Sequence, residues 1–466
     1  MSELFARPTR DQWVAQATKA LKGADVAGLT RTDADGLGVA PLYTADDAVA
    51  PVFAPRASDA DGRAWDLRTL IEGDDVELVN AAALADLEGG AASLILSGSI
   101  LSDSEPLGRA LDGVALELAA VGLDAGLDGP AAADALAVVA KGSPRAMLRF
   151  HMDPLSAFAA TGLALRPIDD HLTLAANTAA RHAGAYPEAS FFLASGRVVH
   201  EAGGSAGQEL GFAAASALAC LKAGVAAGLG LEQAARGTVL GVSVDAEYFD
   251  ALSRVRALRL IWRSLVKALG LDVPATIEAR SSRRMLSARD PWPNLLRLTA
   301  AGFAGAVGGA DAVVLDGFSR AAGRPDAFAR RMARNTQLVL MEEANLGRVD
   351  DPASGSWFLD ARTRDLAEAG WAEFQRIEGE GGVIAALKAG TIQSRVATAR
   401  ALREADLAEG RAQLIGVTKF VNAETRSAPV EMVPEPIVTG GGDACAALTP
   451  VRFAAPFEAA TQEAAR

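Results

Sequence analysis

Histidine is the side chain best suited to proton transfer near neutral pH, and the 466-residue chain contains only four. His200 follows the apolar run Phe191 to Leu193 and precedes the glycine-rich turn Gly203–Gly207. A histidine after a strand can exchange protons with a ligand, and free N–H groups at the start of a helix can hold a phosphate. Both signals are weak, because no G-x-S-x-G, Walker or dinucleotide-binding motif accompanies them.

A charged cluster made of Glu278, Arg280, Arg283 and Arg284 lies at the end of another β-prone run. Glu278 and Arg280 are two residues apart, so they project to the same face of a strand. Buried charges need partners. The cluster is therefore either an anion site or a set of ion pairs that fills a ligand's place, and the residues alone leave both alternatives open.

These residues have to be positioned by alternating strands and helices, which the chain predicts over most of its length. The predicted strands are 93–97, 114–118, 146–150, 191–193, 239–243, 276–280 and 312–316. The predicted helices between them include 130–141, 208–226, 249–270 and 292–307. An eighth strand near 338–340 or 349–359 would close a (β/α)8 TIM barrel, with an open doubly wound sheet as the alternative.

Two extensions are expected around the barrel. Residues 1–66 are predicted to form an arm and wrap that contacts another subunit, with a helix that begins at the capping box Thr9–Gln12. Residues 67–420 form the barrel, followed by trailing helices at 362–378 and 395–409. Residues 421–466 are rich in Pro and Gly, which predicts an extended linker or an arm that wraps a partner.

The amino-acid composition limits the classes of partner that the chain can bind and the cellular compartment in which it is expected. The net charge of -13 argues against nucleic-acid binding. The most apolar stretch, 210–229, consists mainly of Ala and Gly with Lys222 inside it, so no membrane-spanning helix is predicted, and no secretory signal is recognised at the start. Cys220 and Cys445 provide neither a disulfide framework nor a metal-ligand spacing, which indicates a reducing cytoplasm.

Five motifs occur in a fixed order along nearly the whole chain. They are Pro41-Leu42-Tyr43-Thr44, Asp290-Pro291-Trp292-Pro293-Asn294, Ala333-Arg334-Asn335-Thr336-Gln337, Glu342-Glu343 with Asp351-Pro352-Ala353-Ser354-Gly355-Ser356, and Gly416-Val417-Thr418-Lys419. With these motifs the chain resembles the methylmalonyl-CoA mutase family, adenosylcobalamin-dependent isomerases built on a (β/α)8 barrel. The resemblance implies that barrel for this chain.

Several positions that carry the family's chemistry differ here. Catalytic members have Ser-Gly-Tyr-His before Glu-Ala-Gly, and the tyrosine and histidine of that motif correspond to Arg197 and Val198. The tyrosine of the family's Arg-Gln-Tyr-Ala-Gly corresponds to Leu70, while Arg68 is kept. Val198 cannot donate a hydrogen bond, and losing such a donor costs about 3 kcal/mol of transition-state stabilisation. The resemblance therefore implies no turnover by this chain alone.

Two further family features are altered. A histidine and a glutamine that flank the substrate on the sixth strand correspond to Glu278 and Arg280. The cobalamin signature Asp-x-His-x-x-Gly has only a partial counterpart, Asp169-x-His171, with Leu174 in place of the glycine. No complete cobalamin-binding domain is expected before the chain ends. The resemblance thus implies no catalytic, cofactor or metal residues here, with adenosylcobalamin held by a partner.

Three hypotheses follow. The favoured one is a small, non-catalytic subunit of a heterodimeric mutase, whose larger subunit interconverts methylmalonyl-CoA and succinyl-CoA. The alternative is a subunit that still binds an acyl-CoA and receives cobalamin from a separate protein. A third is a stand-alone CoA-binding or regulatory module. The remaining histidines, His151 and His182, are expected to be structural groups.

Overall fold

A closed barrel of parallel strands forms the centre of the computed structural model, which describes residues 8–56, 63–143, 145–422, 424, 426–432 and 441–464. Each strand pairs with the next along the chain, and the last pairs with the first. The strands are β1 Asp66–Glu72, β2 Ser93–Ser97, β3 Ala120–Leu123, β4 Leu148–Met152, β5 Ser190–Ser195, β6 Thr238–Val244, β7 Thr276–Ser281 and β8 Ala312–Val314. The predicted (β/α)8 barrel is confirmed, and an open sheet is excluded.

The strand predicted at 114–118 is wrong. These residues lie in a turn before β3, and Leu118 is 78% exposed. β3 itself has only four residues and contains Gly122, and Val121 is its single β-branched residue, so it carries little of the composition that marks a strand. The run 146–150 is displaced by two residues, since β4 begins at Leu148.

The eighth strand is β1, and both predicted positions for it are wrong. Residues 338–340 continue a helix into the π-helical turn Val339–Glu343, and residues 349–359 are loop followed by the start of a helix. β1 is hard to recognise because Asp66, Arg68 and Glu72 alternate with apolar residues, whereas barrel strands are usually near-continuous apolar runs. With β1 counted, the strand of Glu278 and Arg280 becomes the seventh, not the sixth.

Helices surround the barrel and extend beyond it. Those before β5 are α1 Arg10–Ala20, α2 Val76–Glu88, α3 Ser104–Ala110, α4 Gly129–Val139, α5 Pro154–Thr161 and α6 Ile168–His182. Those between β5 and β8 are α7 Arg197–Glu201, α8 Ala206–Ala226, α9 Leu231–Arg236, α10 Tyr248–Ala268 and α11 Asn294–Val307. After the barrel come α12 Ala327–Leu338, α13 Trp357–Gly379, α14 Val383–Ala389, α15 Thr391–Ala408 and α16 Ala455–Ala464.

The apolar helix α8 belongs to the core. Its small residues let α13 approach closely; a Cβ on Gly211 would lie 2.6 Å from Cβ of Glu373. In the described part of the chain, α8 is the helix long and apolar enough to cross a membrane, but 67% of its apolar window is buried inside the fold. Such burial is typical of a core helix.

The extensions lie against the barrel to different degrees. None of the residues of α1 is buried, whereas Asp33 in the wrap forms an ion pair with buried Arg362 on α13. After the trailing helices, Val430–Glu431 pairs with Arg324–Pro325 as a short antiparallel ladder. Residues 441–464 return to the barrel and end in α16.

Candidate functional site

Five side chains form a continuous chain of ion pairs through the barrel. Arg68 donates to Asp66 at 2.5 Å and to Glu278 at 2.6 Å. Glu278 also accepts from Arg280 Nε at 2.6 Å, and Arg280 Nη1 donates to Asp124 at 2.8 Å. β1 and β7 are not neighbours in the barrel, so a contact between Arg68 and Glu278 has to pass through its interior.

This interior network leaves little water around its charges. Arg68, Glu278 and Arg280 are 5%, 1% and 4% exposed. Burial opposes ionisation of Glu278, but Arg280 and Arg68 outweigh it and hold the pKa of Glu278 below its ordinary value. The same pairing raises the pKa of Arg280 despite its burial. The cluster found in the sequence is therefore ion-paired, and it fills the barrel at this level.

His151 on β4 faces the same interior from across the barrel, with Nδ1 3.9 Å from Glu278. Neither ring nitrogen has a hydrogen-bond partner among the described residues. Burial lowers the pKa of His151 to about 3, so its ring is neutral at physiological pH. Its φ of 47° is unusual outside glycine, and such strain concentrates at functional positions. The position of His151 directly after the predicted strand 146–150 is the one sequence feature that could have indicated this placement.

The positions that the resemblance assigns to two family tyrosines and a histidine hold Leu70, Arg197 and Val198, whose side chains differ in chemistry. Arg197 has a buried Nε without a hydrogen-bond partner in the described part of the chain. Burial is the main cause that lowers the pKa of Arg197 to about 10, and the positive charge of Arg280 adds to it. Val198 packs on the hydrophobic core. Leu70 lines a small cavity of about 20 Å³ between β1, the loop after β8 and α12. Arg197 remains a cation, and the two aliphatic side chains offer no proton.

A second charged layer lies at the carboxyl ends of β7 and β8. Asp316 accepts from Arg283 Nε at 2.8 Å and from Arg320 Nε at 2.7 Å. Arg320 also forms an ion pair with Glu72 at the end of β1. Burial opposes ionisation of Asp316, but Arg283 and Arg320 outweigh it and lower its pKa to about 2. Arg283, like Arg280, is thus neutralised by the chain itself.

His200 is buried inside a separate polar network, in the short helix α7 rather than in a turn. Its Nδ1 lies 3.0 Å from Glu209 and its Nε2 lies 2.9 Å from Ser282 Oγ. Arg254 donates to Glu209 at 2.9 Å. Burial and the nearby Arg284 lower the pKa of His200. His200 is fully hydrogen-bonded inside the protein, so its role is structural.

The glycine-rich turn before α8 already holds an anion from the chain. Gly207 N donates to Asp35 Oδ2 at 2.9 Å, and Ser205 Oγ donates to the other oxygen. A Cβ on Gly207 would lie 2.7 Å from Asp35 Oδ1. The Asp35 carboxylate occupies the place that a phosphate would take.

The partial cobalamin motif is helical. Asp169 and His171 lie in the first turn of α6 on the outside of the barrel, with Asp169 69% exposed at its side chain and His171 only 4% exposed. His182, at the end of the same helix, pairs with Asp134 at 2.7 Å. In the described ranges no group of three His, Cys, Asp or Glu residues is arranged to hold a metal ion.

Asp153 is a titratable group that the sequence did not single out. It follows β4, where its carboxylate caps α5 by accepting from Ser156 N at 3.0 Å. Burial, with a smaller contribution from Asp124, raises the pKa of Asp153 to about 7. An acidic residue directly after a barrel strand is the signal that could have indicated it.

Comparisons with known proteins agree on one family. A family model described as methylmalonyl-CoA mutase matches residues 97–440. A methylmalonyl-CoA mutase small subunit from Streptomyces virginiae is 38% identical and covers 94% of this chain and 74% of that protein. The small subunit from Propionibacterium freudenreichii subsp. shermanii is 31% identical, covering 93% and 71%.

Other matches are shorter or weaker. A probable methylmalonyl-CoA mutase small subunit from Mycobacterium tuberculosis is 37% identical over 74% of this chain but only 57% of that protein. The chain therefore spans little more than half the length of that relative. A dihydropteroate synthase structure from Yersinia pestis covers 59% of this chain and 94% of its own at 12% identity, and its TM-score of 0.26 supports no argument.

Proposed function

Because the chain belongs to the methylmalonyl-CoA mutase family, we propose that it is the small, non-catalytic subunit of a heterodimeric mutase. A larger, homologous subunit then binds adenosylcobalamin and interconverts methylmalonyl-CoA and succinyl-CoA. The printed names of the relatives support the subunit type. The non-catalytic role is supported by the barrel interior.

The observation that carries this proposal is the ion-paired interior. By the resemblance, Glu278 and Arg280 correspond to the family's substrate-flanking histidine and glutamine. Together with Arg68 they form ion pairs at exposures of 5% or less, and Asp66 and Asp124 supply the further negative charges. An acyl thioester inserted there would have to break these pairs. Breaking a buried ion pair costs about 3–5 kcal/mol, which a ligand's contacts would first have to offset.

The residues present do not fit cobalamin. A cobalt ligand has to present an imidazole nitrogen at an accessible surface, yet the ring of His171 is buried in the first turn of α6. Leu174, at the position of the signature glycine, is one turn further along the same helix. No chemical step involving the cofactor is therefore assigned to this chain.

The experiment is purification of the tagged chain from its native cell, alone and together with the homologous larger subunit. We expect the two to co-purify in equal amounts, with isomerase activity and corrinoid absorbance in the complex. The lone chain should show neither, because by the resemblance Arg197 and Val198 stand at the family's tyrosine and histidine, and because the ring of His171 is buried. The larger subunit alone serves as the control for activity.

Three results would contradict the proposal. Isomerisation by the lone chain loaded with adenosylcobalamin would show that it is catalytic. Binding of an acyl-CoA to the lone chain in a calorimetric titration would favour the alternative of a substrate-binding subunit served by a separate cobalamin protein. If no mutase subunit co-purifies in equal amount, the result would favour the third hypothesis, a stand-alone CoA-binding or regulatory module.

A further inference from the structure

The last described segment, residues 441–464, forms a strap that lies along the barrel instead of extending away from it. Its first part pairs with the chain after α5. Gly442 N donates to Ala164 O at 3.0 Å, Cys445 N to Gly162 O at 2.8 Å, and Leu448 N to Ala159 O at 2.8 Å. These backbone bonds hold the strap in one register, as in the addition of an extended peptide to a protein edge.

The middle of the strap crosses to segments further around the barrel. Val451 N donates to Glu201 O at 2.8 Å, and Phe453 N donates to Arg284 O at 3.1 Å. The Phe453 ring is 7% exposed and lies between two guanidinium groups, 5.6 Å from Arg284 and 5.9 Å from Arg403. Two cation–π contacts at a buried ring stabilise the docked position.

Glu458 on α16 anchors the end of the strap. Its Oε1 accepts from Ser287 Oγ at 2.9 Å and from Ala288 N at 2.8 Å, and its Oε2 accepts from Arg452 at 2.9 Å. The residue is 7% exposed, and its pKa lies below the ordinary value because Arg452 and these donors outweigh burial. A buried carboxylate with three partners fixes α16 on the loop after β7.

All of these contacts lie on one end of the barrel. α5 follows the carboxyl end of β4, α7 follows that of β5, and residues 282–289 follow that of β7. The strap thus passes across the carboxyl-terminal face from β4 to β7, which is the face where TIM barrels admit their ligands. Residues 441–464 of the same chain therefore cover this half of the carboxyl-terminal face.

We propose that residues 441–464 are a closing strap, which opens as a unit independently of the barrel and blocks access to the β4–β7 half of the mouth while it is docked. A ligand or partner domain that approaches this half has to displace the strap first. The proposal goes beyond the subunit assignment and holds whether or not the chain is catalytic.

The two cysteines allow a direct test on the whole chain. Cys445 lies in the strap, and Cys220 is 2% exposed on α8 in the core. Because Cys445 is only partly buried while the strap is docked, a thiol reagent should modify it slowly under native conditions and faster when the strap opens, and should modify Cys220 only after global unfolding. Phe453→Ala should accelerate labelling of Cys445 about tenfold or more, because a buried ring and two cation–π contacts are lost.

A second variant and a control separate release of the strap from damage to the fold. Glu458→Gln removes the charge of the carboxylate that anchors α16, and it should accelerate thiol labelling of Cys445 in the same way. Phe420→Ala removes a phenylalanine that is 76% exposed and has one cation–π contact, to Lys419, outside the strap, and should change neither rate. Amide hydrogen exchange of α7 and residues 282–289 should rise in the two strap variants, since the covered face becomes accessible.

Three outcomes would overturn the proposal. Rapid labelling of Cys445 in the wild type, at the rate of a free thiol, would mean that the strap is not docked. Unchanged labelling in both strap variants would mean that their contacts do not hold it. Parallel acceleration of Cys445 and Cys220 in both variants would mean that the strap unfolds only with the barrel. None of these measurements involves a partner or mutase activity, so the subunit proposal is tested separately.

Discussion

Glu278 is the residue on which the barrel's interior charge balance depends. It accepts from two arginines on different strands, Arg68 and Arg280. A carboxylate that is 1% exposed is tolerated only because both positive partners are in contact with it. Removing its charge leaves Arg68 with Asp66 alone and Arg280 with Asp124 alone as ion-pair partners in this network.

The first prediction is that Glu278→Gln destabilises the protein by about 3–5 kcal/mol, the usual effect of removing one member of a buried ion pair. Urea denaturation followed by circular dichroism measures it. Glu232→Gln is the matched control, because Glu232 pairs with Arg236 at 2.7 Å with both side chains 58% exposed. The control should lose less than about 1 kcal/mol. Equal losses in the two variants would contradict the importance of the interior network.

Asp153 makes stability depend on pH. Its pKa is raised to about 7 in the folded chain by burial, against an ordinary value of about 3.9 when unfolded. Between these values the folded state binds more protons than the unfolded state, so the stability contributed by this carboxyl is full below about pH 4 and is lost as the pH rises through about 7.

We therefore expect Asp153→Asn to gain stability relative to the wild type at pH 8, by about 2 kcal/mol, and to gain much less at pH 5. Asparagine keeps the cap of α5, so the charge alone changes. Asp103→Asn, at an exposed carboxyl that caps α3, is the control and should show no such pH-dependent gain. Urea midpoints at the two pH values measure both variants. The same gain for Asp153→Asn at pH 5 and pH 8 would refute the argument.

At the scale of elements, helices were easier to predict than strands. The predicted helices 208–226 and 249–270 agree with α8 and α10 to within two residues, because apolar periodicity defines both and a capping box of Ser205 and Gln208 starts α8. The sequence analysis did not predict β1 or β3, for different reasons. β1 carries charges on its inner face, and β3 has no β-branched residue apart from Val121. A short strand is recognised in a sequence by its apolar and β-branched residues. β1 instead has charged residues facing the interior of the barrel, so this criterion misses it.

The docking of loops and extensions was not predictable from local pattern. Asp35 lies in a turn-rich wrap, about 170 residues before the helix start that it caps. The tail residue Glu458 lies 171 residues after Ser287 in the loop following β7, to which it is hydrogen-bonded, and Phe453 contacts Arg284 in the same loop. Such contacts depend on tertiary arrangement, and a single sequence has no periodic signal for them.

On the scale of the whole molecule, the described N-terminal helix α1 is the element least integrated into the fold. None of its residues is buried, yet Trp13, Val14 and Ala17 recur along it at helical spacing. An amphipathic helix without a core to cover gains stability from packing on another surface. This is consistent with the proposal that the arm contacts the larger subunit.

The prediction is that hydrogen exchange of α1 slows about tenfold or more when the larger subunit is added, because a helix packed in an interface opens less often. Mass spectrometry of the complex and of the lone chain measures it. An unrelated protein at equal concentration is the control and should leave α1 unchanged. Identical exchange in the complex and the lone chain would exclude α1 from the interface.

The sequence by itself determined the barrel, its helices and the family, since these depend on local periodicity and on motifs that are contiguous in the chain. Through the resemblance it also predicts altered positions at Leu70, Arg197, Val198, Glu278 and Arg280. Only the tertiary structure decided that Arg68, Glu278 and Arg280 are ion-paired with one another, that Asp35 occupies the glycine-rich turn, and that residues 441–464 cover the mouth. The reason is physical: whether a charge is paired or exposed depends on side chains hundreds of residues away, which the closing of the barrel brings into contact.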